Sequence, residues 1–261
     1  MIFPKISIII PSLNKVDYIE ETLKSILDQK YENLEVIVQD GGSTDGTLEI
    51  IKKYAKKYPE ILQWESKKDK GQADAINKGL KKASGEVLAF INADDVYEEG
   101  ALKKVGKYFS DNPGTLWLAG KGRVIDKNGK EITKWVTAYK NFLLKINLYS
   151  SLLIVNYLMQ PSVFLSKKAY EKYGDFEGSK GNVMEYDLWL KIGKDTMPEV
   201  VNPYLSGFRL TNDTISATMF RKLLADDYKV AKTHTRNPFL LFLHNFHNLA
   251  RALVVKSIYL L

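Results

Sequence analysis

The first hundred residues alternate between short apolar runs and amphipathic, helix-like segments, and this alternation limits the folds open to the chain. The predicted strands and helices are, in chain order, 5–11, 18–29, 34–38, 47–58, 61–64 (a short strand), 72–82 and 85–91. Strands that alternate with helices in this way are typical of a parallel sheet with helices on both faces. We therefore predict an α/β fold with a doubly wound, mostly parallel sheet, followed by a C-terminal helical extension.

Residues 85–95 form the most informative segment, because two acids follow almost directly on a buried strand. Five consecutive apolar residues precede Asn92, Asp94 and Asp95. Carboxylates at this end of a strand suit a hard cation and the phosphates that accompany it. The alternative is structural, with one of the two acids capping a helix that begins near residue 98. These residues alone leave both interpretations open.

Two other predicted strands also end in polar residues, at Ser12 to Asn14 and at Asp40. The carboxyl ends of parallel strands lie at one edge of a sheet, so these residues and Asn92 to Asp95 are expected to share one crevice. Neither the GxGxxG fingerprint nor the GxxxxGK[ST] loop is present. The main sequence evidence for a dinucleotide-binding or a P-loop protein is therefore missing.

Composition excludes several kinds of site and partner. The chain has 261 residues, enough for a large domain with an appendage, and it has no cysteine, which excludes disulfides and thiolate ligands. The net charge is +7, but the lysines are spread along predicted helix faces without interleaved aromatic residues, so nucleic acid is not an expected partner. The absence of cysteine also fits a cytoplasmic protein, and the N-terminus shows no charged leader before a long apolar region.

The second half of the chain changes character. Asn128-Gly129 predicts a hairpin between strands at 116–125 and 131–136. The later predicted elements are helices at 139–158, 167–173 and 185–192 and a strand at 160–165.

Six short segments stand out when the chain is considered as a whole. They are SIIIPS (7–12), QDGGSTDGT (39–47), GQADAINKG (71–79), NADD (92–95), QPSVF (160–164) and EYDLWLK (185–191). In this order, over roughly residues 5–215, they resemble the family 2 glycosyltransferases. The resemblance implies a GT-A fold, a nucleotide-diphosphate sugar donor that is most often UDP-linked, a divalent cation and inverting transfer to an acceptor hydroxyl. It also divides the chain into a glycosyltransferase domain and a helical extension, expected at 1–97 (nucleotide-binding half), 98–215 (acceptor-binding half) and 216–261.

For the donor, the resemblance implies that Asp40 accepts a hydrogen bond from the nucleobase, typically uracil. Pro11, Ser12 and Leu13 would line the same pocket with their backbone. The alternative for Asp40 is a turn-forming role before two glycines.

Asp94 is the candidate ligand for Mn²⁺ or Mg²⁺, because such ions are usually held by one or two carboxylates plus phosphate oxygens. Asn92, separated from it by Ala93, stands where relatives often have the first aspartate of the DXD motif. Asparagine can hydrogen-bond a ribose but brings no charge to the cation.

Gly71 and Gln72 begin the third helix near the crevice, where backbone N–H groups can approach phosphate. Asp74 either contacts the nucleoside or complements the helix dipole as a first-turn acid. By resemblance Arg209 contacts the diphosphate, and Thr211 replaces a histidine that relatives often carry.

Inversion needs a base that takes the proton of the acceptor hydroxyl. By resemblance this base is Glu185, where aspartate is more usual, and the extra methylene shifts its carboxylate by roughly a bond length. Asp187 is the reserve base, although a residue two positions further along a helix faces another way.

The C-terminal segment from Phe239 has one apolar helical face, formed by Phe242, Leu243, Phe246, Leu249, Ala250, Leu253 and Val254. Packing of this face on the domain or on a partner subunit is favoured over contact of 239–261 with a membrane that carries a lipid-linked acceptor, because the helix has few cations. The histidines (His234, His244 and His247) have no acids at metal-ligand spacing, so they are predicted to lie on a solvated face.

Three functions therefore remain in contention. An inverting glycosyltransferase that acts on a carbohydrate or lipid-linked acceptor fits best. Its rivals are a nucleotide-sugar-binding protein that has lost catalysis, which Asn92, Glu185 and Thr211 keep open, and a sugar-1-phosphate nucleotidyltransferase. The last would carry a basic, glycine-rich loop after the first strand, and Pro11-Ser12-Leu13-Asn14 is not such a loop.

Overall fold

The computed structural model describes residues 3–210 and 220–259, and an eight-stranded sheet runs through the first of these ranges. The strands are β1 (Ile6–Ser12), β2 (Leu34–Asp40), β3 (Leu62–Ser66), β4 (Val87–Phe90), β5 (Val96–Tyr97), β6 (Trp117–Ile125), β7 (Val163–Ser166) and β8 (Glu199–Arg209). The helices are α1 (Ile19–Leu27), α2 (Thr47–Lys57), α3 (Gln72–Lys82), α4 (Ala101–Asp111), α5 (Lys134–Ile146), α6 (Tyr149–Ile154), α7 (Lys167–Tyr173), α8 (Met184–Asp195), α9 (Phe220–His234) and α10 (Pro238–Tyr259).

The strand order is β3-β2-β1-β4-β7-β6-β8-β5. The first four of these strands pair in parallel, as the alternation of strands and helices predicts. The rest of the sheet is mixed, with β7 antiparallel to β4 and β6, β6 parallel to β8, and β5 antiparallel to β8. The chain winds outward from β1 to β3 and then returns to place β4 on the other side of β1. This topological switch point is where open α/β sheets bind their ligands.

The strand β1 is buried along its whole length because helices cover both faces of the sheet. Its Ile9 joins one core cluster with Ile76 of α3, whereas Ile8 and Ile10 join a second cluster with Ile26 of α1. A strand buried on both faces needs apolar residues at successive positions, and this explains the unbroken isoleucine run.

The turn at Asn128-Gly129 is present, but the predicted strand at 131–136 is wrong. Gly129 has a φ of 77°, which glycine adopts without steric cost. Beyond the turn, pairing within the described residues is limited to a bridge between Ile125 and Glu131, and α5 then begins at Lys134. The long neighbour of β6 is instead β8, which arrives from much later in the chain.

Helix α10 turns its polar side toward the protein, so the predicted packing of its apolar face on the domain is wrong, whereas packing on a partner subunit stays a prediction. His244 and Asn248 are buried, whereas Phe242 and Phe246 are 63% and 64% exposed. The side chain of Val254, which the prediction placed on the same face, lies outside the described part of the chain. No helix among the described residues is both long enough and apolar enough to cross a bilayer.

The histidines do not lie on a solvated face, contrary to the prediction. His244 is buried with its Nδ1 2.8 Å from the carbonyl oxygen of Leu153, and the Nε2 of His234 lies 2.9 Å from the carboxylate of Asp187. His247 is half-buried against the ring of Tyr139. The histidines thus help to attach α9 and α10 to the domain, together with Val230 and Ala231 of α9, which lie in the core.

Candidate active site

A cleft of about 380 Å³ opens at the carboxyl ends of β1 and β4, beside the start of α3 and of α8. Most of the predicted site residues line it, namely Pro11, Ser12, Leu13, Gly71, Gln72, Asn92, Ala93, Asp94, Glu185 and Arg209. Asp40, Asp74 and Asp187 are not among its lining residues. Residues from both ends of the sequence thus meet at the switch point between β1 and β4.

Asp94 lies at the cleft wall and forms an ion pair that the sequence did not indicate. The Nζ atom of Lys15, just beyond the end of β1, lies 2.7 Å from Oδ2 of Asp94. The Asp94 side chain is 11% exposed and the Lys15 side chain 25%, so both groups are partly shielded from water. A cationic group therefore already faces the carboxylate that was predicted to bind a metal ion.

The neighbouring Asp95 is fully buried and has a structural role. It accepts hydrogen bonds from the backbone N–H of Arg209 at 2.7 Å and from Nδ2 of Asn92 at 3.2 Å. Burial and the nearby Asp94 carboxylate raise the pKa of Asp95 well above its usual range. Neither acid caps the following helix, because α4 begins at Ala101 after the left-handed Gly100.

Asn92 holds the segment after β4 to α3. Its Oδ1 accepts a hydrogen bond from Nε2 of Gln72 at 2.6 Å, and its Nδ2 donates to Asp95. The asparagine thus links the two elements that border the cleft. An aspartate at this position would place a second carboxylate close to the buried Asp95.

Arg209 lines the cleft, but its guanidinium is fully buried and bound to protein oxygens. Nε donates to the carbonyl oxygen of Asp94 at 2.7 Å, and Nη1 donates to those of Asp126 and Lys127 at 2.9 and 3.0 Å. Nη2 pairs with the carboxylate of Glu21 at 2.6 Å. The predicted contact with a diphosphate is corrected to a structural role, because these bonds use the guanidinium to fix the Asp94 loop.

Glu185, in the first turn of α8, faces the cleft and is half-buried. Burial raises the pKa of its carboxyl to about 7, and the nearby Asp227 adds to the shift while Lys140 opposes it. A carboxyl group with this pKa exchanges protons near neutral pH, as a general base must.

Asp187 does not fit its predicted role as reserve base. It is buried outside the cleft, and its carboxylate lies 2.9 Å from Nε2 of His234 and 3.4 Å from Nζ of Lys191. Burial raises its pKa, but the hydrogen bond to His234 and the charges of Lys191 and Lys180 outweigh that effect and lower it. Asp187 therefore serves to attach α9 to α8.

The carboxylate of Asp40 is buried and is occupied by the turn that follows it. Its oxygens accept hydrogen bonds from the backbone N–H groups of Gly42 and Ser43 and from the hydroxyls of Ser43 and Ser66. This geometry supports the turn-forming alternative. Contact of Asp40 with a nucleobase stays a prediction that no observed contact supports.

Asp69 occupies the neighbouring space in the cleft. Gly41 has no side chain, and a Cβ atom placed there would lie 2.8 Å from Oδ2 of Asp69 and 3.5 Å from Cδ1 of Leu13. Oδ1 of Asp69 accepts a hydrogen bond from the backbone N–H of Gly71 at 2.8 Å. The missing side chain of Gly41 thus leaves room for a carboxylate beside the exposed Leu13.

Asp74 is a first-turn acid of α3 and does not reach the cleft, which corrects its predicted donor contact. Its Oδ2 accepts a hydrogen bond from the backbone N–H of Lys70 at 3.0 Å and pairs with Nζ of Lys78 at 2.7 Å. These contacts with Lys78 and Lys70 lower the pKa of Asp74.

Two buried polar atoms of the cleft residues have no hydrogen-bond partner among the described residues. They are Oγ of Ser12 and Oε1 of Gln160, whose Nε2 donates to the carbonyl oxygen of Phe90 at 2.7 Å. Buried polar atoms are rarely left unpaired, so both are candidates for contact with a ligand. Gln160 and Lys15 were not predicted as site residues, although Gln160 stands in one of the six segments and Lys15 follows directly on the first strand end.

The residues present fit a divalent cation only when a ligand supplies part of its coordination shell. Groups of three or more Asp, Glu or His side chains that could hold an ion are absent from the described residues. Asp94 together with phosphate oxygens matches the way in which Mg²⁺ is usually bound. Thr211, which stands where relatives often carry a histidine, lies outside the described residues.

The sheet, its switch point and the surrounding helices have the arrangement of the GT-A fold. The model of the family described as glycosyl transferase family 2 matches residues 7–174, more than half of the chain. The chain belongs to this family.

Its relatives are glycosyltransferases. A putative teichuronic acid biosynthesis glycosyltransferase, TuaG of Bacillus subtilis, is 33% identical over 135 residues, which are 52% of this chain and 53% of that protein. An uncharacterized glycosyltransferase of Methanocaldococcus jannaschii is 25% identical over 238 residues, 90% of this chain and 80% of that protein. The chain spans about half the length of the Bacillus relative and 18% of an uncharacterized glycosyltransferase of Rickettsia bellii.

Solved structures share the fold. The mannosyltransferase PcManGT from Pyrobaculum calidifontis, in complex with GDP-Man and Mn²⁺, superimposes with a TM-score of 0.73 at 20% identity over 99% of this chain and 75% of that one. S. aureus TarS 1–349 in complex with UDP-GlcNAc gives a TM-score of 0.60 at 18% identity over 87% of this chain and 66% of that one.

We predict that replacing Arg209 with glutamine lowers the free energy of unfolding by about 2–4 kcal/mol, because several buried oxygens lose a charged donor. Urea denaturation measures this loss. Arg123→Gln is the matched control, since Arg123 is half-buried and ion-paired with Glu98, and its loss should be below about 1 kcal/mol. Equal losses for the two variants would contradict the structural role of Arg209.

Proposed function

We propose that the protein transfers a sugar from a nucleotide-diphosphate sugar to an acceptor hydroxyl, with inversion at the anomeric carbon. UDP is the favoured nucleotide of the donor. The observation that carries the proposal is the meeting of Asp94 and Glu185 on one cleft, with the pKa of Glu185 raised to about 7. The acceptor is a carbohydrate or a lipid-linked sugar of the kind used in polysaccharide biosynthesis.

In the proposed reaction Glu185 takes the proton of the acceptor hydroxyl as its oxygen attacks the anomeric carbon. The new carbon–oxygen bond forms while the bond between that carbon and the diphosphate oxygen breaks. The electron pair of the broken bond leaves with the diphosphate, and attack from the opposite side inverts the configuration. The raised pKa makes Glu185 a stronger base than an ordinary carboxylate at neutral pH.

The proposed donor site uses the groups that the cleft leaves available. Gly71 has a φ of 113°, and a Cβ atom placed on it would have no atom within 4 Å, so phosphate has room to approach the start of α3. The unpaired oxygens of Ser12 and Gln160 can accept hydrogen bonds from sugar or ribose hydroxyls. Gln72 and Asn92 border the same space.

We assign recognition of the nucleobase to Asp69 in place of Asp40. The Asp69 carboxylate lines the cleft beside Leu13, whose exposed side chain offers an apolar surface to a base ring. A carboxylate only accepts hydrogen bonds, so it suits a base whose ring nitrogen on the pairing edge carries a hydrogen, as in uracil and guanine. In adenine and cytosine that ring nitrogen carries a lone pair, which repels a carboxylate, and only the exocyclic amino group can donate.

The divalent cation, Mn²⁺ or Mg²⁺, would be held by Asp94 together with oxygens of the diphosphate, and when bound it would offset charge on the leaving group. Lys15 keeps the Asp94 carboxylate paired when the donor is absent. Its ammonium lies close enough to contribute positive charge at the same place.

The proposal also divides the chain by role. Residues 1–97 bind the donor, residues 98–215 bind the acceptor and residues 216–261 form a helical extension.

We predict that donor hydrolysis or transfer falls about tenfold per pH unit below pH 7, because protonated Glu185 cannot act as a base. Glu185→Gln should lower turnover about 10²- to 10⁴-fold and leave nucleotide binding intact. Asp187→Asn is the matched control, and its activity should fall below pH 7 as in the wild type, because Asp187 lies outside the cleft. If the activity of Glu185→Gln also fell tenfold per pH unit below pH 7, Glu185 would be excluded as the base.

Nucleotide binding tests the donor site and the cation together. We expect UDP to raise the melting temperature of the protein more with Mn²⁺ than without it, and Asp94→Asn to abolish the difference. Asp74→Asn, a neighbouring acid outside the cleft, should keep it. If no nucleotide raised the melting temperature, the proposal would be wrong. Stabilisation without turnover across a range of acceptors would favour the alternative of a nucleotide-sugar-binding protein that has lost catalysis.

Base selection tests Asp69 separately. Wild-type protein should bind UDP and GDP about tenfold more tightly than CDP and ADP, a difference typical of one hydrogen bond to a charged group. Asp69→Asn should reduce this preference, because an amide can donate as well as accept. Calorimetric titration with the four nucleotides measures this preference. If Asp69→Asn left it unchanged, recognition of the nucleobase would have to be assigned to another residue.

A further inference from the structure

Helices α5 and α10 expose a continuous set of large apolar side chains, which we call the α5–α10 face. It includes Trp135, Phe142, Ile146, Phe242, Phe246 and Leu249, each between 40% and 64% exposed. On α10 they recur at four- and three-residue spacing, and on α5 the partly exposed Tyr139 lies in the seven-residue interval between Trp135 and Phe142, so each helix carries one stripe. Most of the large apolar side chains that the described residues expose belong to these two helices.

The two stripes meet at one ring contact, where Tyr139 on α5 stacks on His247 on α10 with ring centroids 6.0 Å apart. Tyr139 is itself partly exposed between Trp135 and Phe142. The face is therefore two helices wide, larger than the scattered apolar residues that ordinary surfaces carry.

Attachment of α10 to the domain does not use this face. His244 and Asn248 point inward, and Arg251 pairs with the buried carboxylate of Asp227 at 2.7 Å. A helix that turns polar groups inward and phenylalanines outward is inverted relative to an ordinary surface helix. Exposure of these phenylalanines to water carries a free-energy cost that a second apolar phase would remove.

Along helices α5 and α10 themselves the charge is of one sign. No aspartate or glutamate occurs between Glu131 and Glu171 or after Asp227. The cations Lys134, Lys145 and Arg236 are exposed at the ends of the two helices. Apolar side chains bordered by lysine and arginine, with no acid nearby along these stretches of the sequence, match an anionic lipid surface.

We propose that the α5–α10 face docks the protein on a membrane that contains anionic lipids, with the aromatic side chains in the headgroup region and the cations against lipid phosphates. A second copy of the chain fits less well, because a symmetric contact would bring like charges together and offers no acid to pair with them. This proposal does not depend on the proposed transfer reaction.

Helix α5 also lies near the proposed active site. Lys140, on the inner side of α5, acts electrostatically on Glu185. The same element that meets the membrane is thus close to the proposed catalytic base. A cytoplasmic enzyme at the inner face of the membrane would reach a lipid-linked acceptor from this position.

Co-flotation of the full chain with vesicles tests the proposal. Vesicles of phosphatidylcholine mixed with phosphatidylglycerol should bind the protein at least about tenfold better than phosphatidylcholine alone. Phe242→Ser and Phe246→Ser should each weaken binding about tenfold. Trp64→Ser removes an exposed apolar side chain outside the face and should have no effect, and thermal melting of each variant checks its fold.

Charge and self-association give independent outcomes. Lys134→Glu and Lys145→Glu should each weaken binding about fivefold at low salt, without changing the fold. Equal binding to both kinds of vesicle, or no binding to either, would overturn the proposal. So would a lipid-free dimer, detected by light scattering, that Phe242→Ser converts to a monomer. None of these measurements uses the donor, so they remain informative if the proposed transferase activity fails.

Discussion

The buried guanidinium of Arg209 is the interaction on which the arrangement of the site depends. From the end of β8 it donates to the carbonyl oxygens of Asp94, Asp126 and Lys127 and pairs with Glu21 of α1. Its backbone N–H also binds the buried Asp95. A planar, permanently charged group can satisfy several converging oxygens at fixed angles, which lysine cannot do. The loop that carries Asp94 therefore has one defined position only after β8 has joined the sheet.

Charge is distributed unevenly among the acids of the site. Asp95 is fully buried with a strongly raised pKa, Asp94 is paired with Lys15, and Glu185 lies half-buried with a pKa near neutrality. This uneven distribution suits the proposed transfer reaction, in which a general base gains a proton near neutral pH. Burial and neighbouring charges produce it.

The same helices connect the site to the surface of the molecule. Helix α8 presents Glu185 to the cleft and Asp187 to His234 of α9, while α5 presents Lys140 inward and Trp135 outward. The C-terminal helices are attached by ion pairs and hydrogen bonds and by apolar residues of α9 such as Val230 and Ala231, whereas the phenylalanines of α10 remain exposed. Helix α10 thus belongs to the folded domain through its inward-facing residues, although its phenylalanines do not contribute to the core.

The sequence by itself determined the parallel half of the sheet, the crevice at its edge and the presence of Asp94, Glu185 and the Pro11 to Leu13 segment in that crevice. Apolar runs and helical periodicity are local signals, and parallel strands place their carboxyl ends together. Tertiary structure alone decided the roles of Arg209, Asp74 and Asp187, the ion pair from Lys15, and the inverted orientation of α10. These depend on which groups from distant segments meet in the fold, since a charged side chain takes its role from its partners and its burial, and neither is encoded in its neighbours along the chain.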